Sequence, residues 1–476
     1  MEATLQTGGR YIILRRSFAR KCGWQMPGKL NNLSPRPRLW LQSLGLVCIL
    51  LAPVPAPAAT PAPYGEYFVR LGQSWPDAGR IAPLPSTAAP DFPAVGSAPA
   101  MDSAARDTAR YERELGQLEN QGGPYADTLA EPLADLARLL RSSGDITRAE
   151  EAYQRALHLV RVNEGLYSER QVPILRELFD IYRTTGDMAM LDGRYDYFFR
   201  LYGSGQPPYT PIRVGAGLEY LRWQREALRL GLDERDTERL LALYSLNAQI
   251  LQDAAADPAL EFASYRALAL SQLRNLYLLQ DRFEPRVEAV GQAPGTVMPG
   301  SWDDMDTGQR RLETLQRNAL VRGRELLDEL IARTPPAQVE ELADAWLELG
   351  DWNQWNDRRQ DALAAYGEVV KLLQGAGRDD LLQQWLGQPV ELPANGAFWQ
   401  PRPGQAATGA VVVQASYDVS AEGRASNIET AALLSANAGK AGRVRRSLAQ
   451  TRFRPRLANG EPQAQRQLSR QYEVLN

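Results

Sequence analysis

The chain has 476 residues, 44% hydrophobic and 23% charged, with a formal net charge of −3. That is enough apolar material for more than one core and too much for a disordered chain. Its cysteines are Cys22 and Cys48, and His158 is its single histidine. This inventory supplies almost nothing for disulfides, Ser-His or Cys-His nucleophilic catalysis, or the common zinc sites. No Walker-type phosphate loop occurs, and no cofactor is expected. Residues 1–58 carry eight basic side chains against Glu2, and Thr408 to the end carries ten basic against five acidic. The stretch between them is therefore about −15, the wrong sign for nucleic acid as a general partner.

In chain order, "RPRLWLQSLGLVCILLAPVPAPAAT" places basic residues before an apolar run, Leu39 to Ala52, and then small residues ending in Ala56-Pro57-Ala58. This is the layout of a secretory signal peptide cut after Ala58, residues 1–58. Met26 would give a start of more ordinary signal length. The apolar run falls short of the roughly 20 residues of a comfortable membrane span, but an uncleaved inner-membrane anchor is the alternative. The body is expected in the periplasm in either case. Residues 59–105 are rich in Pro and Ala and read as a linker.

Apolar spacing at three and four residues then predicts helices over residues 106–390. "LADLARLLRSSGDITRAEEAYQRAL" sets Leu133, Leu136, Ala137, Leu140, Gly144, Ala149, Tyr153 and Ala156 in a small/large order. "LRELFDIYRTTGDMAMLDGRYDYFF" repeats it with Leu175, Leu178, Phe179, Tyr182, Gly186, Leu191, Tyr195 and Phe198. Both stretches resemble the tetratricopeptide repeat, which implies antiparallel helix pairs stacked into a solenoid. A third copy keeps Leu342, Trp346, Gly350, Ala362 and Tyr366, with seven extra residues between its glycine and alanine. Each glycine is expected at the turn between paired helices. Trp346, Trp352 and Trp355 are expected to pin the insertion to the helices.

The resemblance implies a groove lined by the first helix of each pair. Its residues here would be Ala134, Arg138, Arg141, Arg176, Asp180 and Arg183. Four arginines against one aspartate could fork onto an acidic peptide; the alternative is a solvated arginine surface. His158 reads as a helix-surface residue.

Residues 391–407 form a second linker, after which the period changes. In "GAVVVQASYDVS" Val411, Val413, Ala415, Tyr417 and Val419 alternate as in a half-buried strand. "SAEG" turns the chain into a partner strand, "RASNIETAAL". A Gly/Ala break, "ANAGKAG", precedes a helix from Arg443 to about Gln450. In "TRFRPRLANGEP", Phe453 enters the core, Pro455 opens an extended run, and Asn459-Gly460 favours a tight hairpin. A last strand follows, with Arg466 and Arg470 interrupting its apolar face. The order strand, strand, helix, strand over residues 408–476 resembles the TonB C-terminal domain family.

That resemblance implies a small α+β domain that captures a partner along the edge of its terminal strand, here Gln465, Gln467, Ser469 and Gln471. On the bland reading, Arg466 and Arg470 guard an ordinary edge against aggregation. The fold expected is mainly α, a tetratricopeptide-type solenoid followed by a TonB C-terminal-like domain. The function expected is that of a periplasmic, non-enzymatic adaptor for other envelope proteins or peptides, outer-membrane transporters among them. An inner-membrane-anchored energy transducer and a two-carboxylate envelope hydrolase are the alternatives.

Overall fold

A computed structural model describes residues 68–70, 101–232, 236–281, 302–397, 411–432, 438–458 and 460–474. The expected signal segment lies outside them, as does most of both linkers. The described chain is mainly helical, with a small sheet-containing C-terminal region. Among the described residues no helix is long and apolar enough to cross a membrane.

After a short strand, β1 (Phe68–Arg70), come α1 (Met101–Gly122), α2 (Ala130–Ser142), α3 (Ile146–Glu164), α4 (Gln171–Thr185) and α5 (Met188–Leu201). The two repeat copies are the pairs α2/α3 and α4/α5, and they use one device. Gly144 and Gly186 take φ of +87° and +78°, the left-handed exit that glycine permits. Asp145 and Asp187 follow as N-caps, accepting from the Arg148 and Met190 amides at 3.3 and 3.0 Å. Ala137, Ala149 and Ala156 are fully buried, so the paired backbones approach closely, and Tyr153 fills the space beside them.

The helices then lengthen: α6 (Pro211–Leu230), α7 (Asp236–Ala255), α8 (Phe262–Asp281) and α9 (Trp302–Arg333). Next are α10 (Val339–Trp355), α11 (Arg359–Gly375) and α12 (Asp379–Leu386). Here one expectation is corrected. Gly350 is no turn glycine; it lies inside α10, and the turn falls at 356–358. A Cβ at Gly350 would overlap the Tyr366 ring, so this glycine serves close helix packing. The seven extra residues extend the helix instead of looping out. Trp352 is buried with its Nε1 donating to the Leu320 carbonyl at 3.1 Å.

The C-terminal region contains β2 (Val390–Glu391), β3 (Val411–Val419), β4 (Ala425–Ala432), α13 (Ala438–Gln450), β5 (Phe453–Arg454), β6 (Arg456–Ala458), β7 (Glu461–Gln463) and β8 (Gln465–Val474). Val413, Ala415, Tyr417 and Val419 are buried with Leu468 and Tyr472 beneath α13. The expected Gly/Ala break is helical from Ala438 onward. Its small residues let α13 approach the sheet, and Ala441 is buried there. β6 and β7 form a hairpin with Ala458 opposite Glu461 and Gly460 at φ +80°; Asn459 lies outside the described residues.

This region is joined to the helices through the "RFRPRL" stretch. β5 pairs antiparallel with β2. Arg454 reaches Asp351 of α10 with Nε–Oδ1 at 2.7 Å and Nη2–Oδ2 at 2.5 Å, both side chains 4% exposed. Its third donor meets the Trp385 carbonyl at 2.7 Å, and Tyr366 donates to Asp351 at 3.0 Å. Burial opposes the guanidinium charge, but Asp351 and its hydrogen bonds outweigh that and raise the pKa. Around this pair, Arg424 and Arg452 converge on Asp357, and Leu457 sits in the core shared by α10, α11 and α12. Asp351→Asn leaves a buried guanidinium unpaired and should destabilise the chain by about 3–5 kcal/mol in denaturant unfolding. The double change Asp351→Leu with Arg454→Met should recover most of that loss.

Candidate functional site

The main sheet runs β1-β8-β3-β4. The expected edge strand, β8, is therefore flanked on both sides over part of its length. On one side β3 pairs with it antiparallel from Val411↔Val474 to Val419↔Gln465. On the other, β1 covers Tyr472–Val474, with Arg70 opposite Tyr472 and Phe68 opposite Val474. Among the described residues no strand lies beside Gln465–Gln471 on that outer side. An unpaired strand edge presents a row of donors and acceptors to any extended chain.

The strip is shaped from within. Between Tyr417 and Val419, β3 spends one residue where β8 spends two, and Gln467 takes φ +53°. Against β4 the same stretch meets a second irregularity, with Asn427 at φ +51°. Asp418 anchors both: its Oδ1 accepts from the Gln467 amide at 2.8 Å and its Oδ2 from the Asn427 side chain at 2.7 Å. A bulge of this kind twists the strand and re-aims its side chains. The Gln467 amide bond, with that of Asn427 second, holds the Asp418 carboxyl below its ordinary 3.8.

Gln467, Ser469 and Gln471 are exposed, and Gln465 is half-buried. Gln414 reaches Ser469 across the solvent face at 3.3 Å. Arg470 is not the edge guard of the bland reading. It points inward with Leu468 and Tyr472, donating to Glu391 at 2.8 Å and to the Pro389 carbonyl at 2.6 Å. Glu391 also accepts from Tyr472 at 2.7 Å, and the Tyr417 and Tyr472 hydroxyls lie 2.9 Å apart. Burial, then Glu391, pushes the Tyr472 hydroxyl far up. The reason is distant in sequence: β2 passes over this end of the inner face and brings a carboxylate that a periodicity argument cannot see.

The groove arginines are brought together with carboxylates of their own chain. Arg141 of α2 meets Glu177 and Asp180 of α4. Arg176 of α4 forks onto Glu219 of α6 at 3.0 and 2.9 Å, and Arg183, two turns on, pairs with Glu226 of α6. Glu112 and Glu119 of α1 take Arg148 and Arg155 of α3 in the same seven-residue step. Arg138 pairs with Asp135 on its own helix, and Ala134 packs against the core. Arg183 also lies over Tyr195 and Trp223, which stack at 4.8 Å. A visiting carboxylate would therefore have to displace a resident one at each of these arginines. His158 is exposed, within 3.2 Å of Arg161 and edge-on to Tyr125.

No family model matches the chain, and no curated protein matches it.

Replacing Asp418 with Ala should free the Gln467 amide and loosen the bulge. Because the folded carboxyl titrates below 3.8, its contribution is complete above that pH and lost as pH falls through the depressed value. Protection of the 465–469 amides against hydrogen exchange should fall in the variant, and in the parent chain over that same acid range.

Proposed function

We propose that this chain is a periplasmic adaptor: a tetratricopeptide-type solenoid carrying a TonB C-terminal-like domain that captures an extended segment of an envelope protein along β8. Outer-membrane transporters are partners of the class that the family resemblance implies. The observation that carries this reading is the outer side of Gln465–Gln471, where no described strand lies beside β8.

Three features support it. The pairing of β1 with the end of β8 is a working example, within the chain, of an antiparallel strand added to this edge. The bulge fixes the geometry of the open strip before a partner arrives, and preorganisation lowers the ordering cost of binding. The Arg454–Asp351 joint holds β5 to α10, and Phe453 of β5 packs in the core beneath β3 and β8, so a captured segment is held relative to the helices as well.

Two measurements test the reading. In the presence of a captured segment, amide exchange across Gln465–Gln471 should slow, and crosslinkers placed at Gln467 or Ser469 should mark the partner; unchanged exchange with partner bound would end the proposal. Proline at both Val69 and Arg70 removes whichever amide of that pair faces β8. It should expose Tyr472–Val474 to faster exchange and lengthen the open strip, so that capture tightens.

A further inference from the structure

A groove of about 630 Å³ runs between α7 and α9. One wall, from α7, offers Ser245, Gln249 and Gln252; the other, from α9, offers Arg310, Arg311 and Arg322, and among the described residues no carboxylate lines it. Arg311 donates to the Ser245 hydroxyl at 3.1 Å, and Arg322 to the Tyr244 hydroxyl at 2.7 Å while lying over that ring. Neither Arg311 nor Arg322 has a carboxylate partner among the described residues. This sets them apart from Arg141, Arg148, Arg155, Arg176 and Arg183, each of which meets a glutamate of another helix. Hydroxyl groups hold the two guanidiniums in place without neutralising them.

We infer that the α7/α9 groove is a binding site for an acidic peptide segment. Arg311 and Arg322 are eleven residues apart, three helical turns, so they share one face about 16 Å apart along the axis. An extended peptide covers that span in about five residues. Guanidinium forks match its carboxylates, and the glutamine amides opposite can donate to and accept from its backbone. The body around the groove carries roughly −15, which disfavours long polyanions such as nucleic acid while leaving this local cationic wall as the place where a short acidic segment gains.

The test uses the full chain and a labelled six-residue peptide of alternating glutamate and alanine, followed by fluorescence anisotropy. Binding should weaken as salt rises, and the peptide's glutamine counterpart should bind much more weakly. The double variant Arg311→Gln with Arg322→Gln should lose affinity by about twenty-fivefold or more, taking roughly fivefold per charged contact as a floor. Both side chains are exposed, and an unchanged melting curve shows that the variant folds. Equal binding by the glutamine peptide, parent-like binding by the double variant, or tighter binding of a single-stranded oligonucleotide of equal charge would each overturn the assignment.

Discussion

The buried pair of Arg454 and Asp351 governs the arrangement of this chain. Two charges taken almost wholly out of water are stable only when every remaining hydrogen-bonding position is filled. Here Tyr366 donates to Asp351 and the Trp385 carbonyl accepts from Arg454, so the pair brings α10, α11, α12 and β5 to one point. Gly350 is required at the same place because Tyr366 must lie flat on α10 to reach Asp351. On the far side, Gly423 at φ +74° passes against the Phe453 carbonyl, and Gln354 donates to that carbonyl and to that of Glu422. A hydrophobic pair could hold these elements as tightly. The charged pair adds direction, since a guanidinium fork accepts a carboxylate in few orientations.

Arginine does three different jobs in this protein, and its partners tell them apart. Between helices it forms a ladder: Arg148 and Arg155, then Arg176 and Arg183, each repeat at seven residues and meet glutamates with the same spacing. Three of these pairs are partly exposed, so each contributes modestly to stability, while Arg183–Glu226 is mostly buried; their common register opposes sliding of one helix along another. In the joint, Arg454 is buried and satisfied. On α9, Arg311 and Arg322 are held by hydroxyls and keep their charge available. Counting arginines in the sequence cannot separate these roles, because the partner lies 36 to 43 residues away in the ladder and 103 in the joint.

Local chemistry was the legible part of the sequence. The Gly-Asp turns at 144–145 and 186–187 follow from backbone freedom and capping, and the β3 alternation follows from a two-residue period; each depends on near neighbours alone. Gly350 misled because a helix-packing glycine and a turn glycine look identical until the tyrosine that needs the space is placed. Arg470 misled for the same reason: a charge on an apolar face reads as an interruption unless Glu391, arriving from a distant strand, is known. β8 was legible as a terminal polar strand, but the coverage of its last residues, Tyr472–Val474, by Phe68–Arg70 was not, since pairing across some four hundred residues leaves no periodic trace in so short a segment.

The joint also determines how the two proposed recognition surfaces would combine. Phe453 of β5 shares a core with Leu468 and Tyr472 of β8, β5 is fixed to α10, α10 packs on α9, and α9 carries the arginine wall, so no described flexible link separates sheet and groove along that path. A partner that met both surfaces would gain from effective concentration only if the segment joining its two contacts spanned a fixed distance. A flexible hinge would tolerate many partner geometries at a cost in entropy, whereas a buried ion pair with few allowed orientations selects among them. The same rigidity that makes Asp351 costly to lose would therefore make the chain a discriminating adaptor, one in which the length of the partner's linker counts as much as the sequence of either contact.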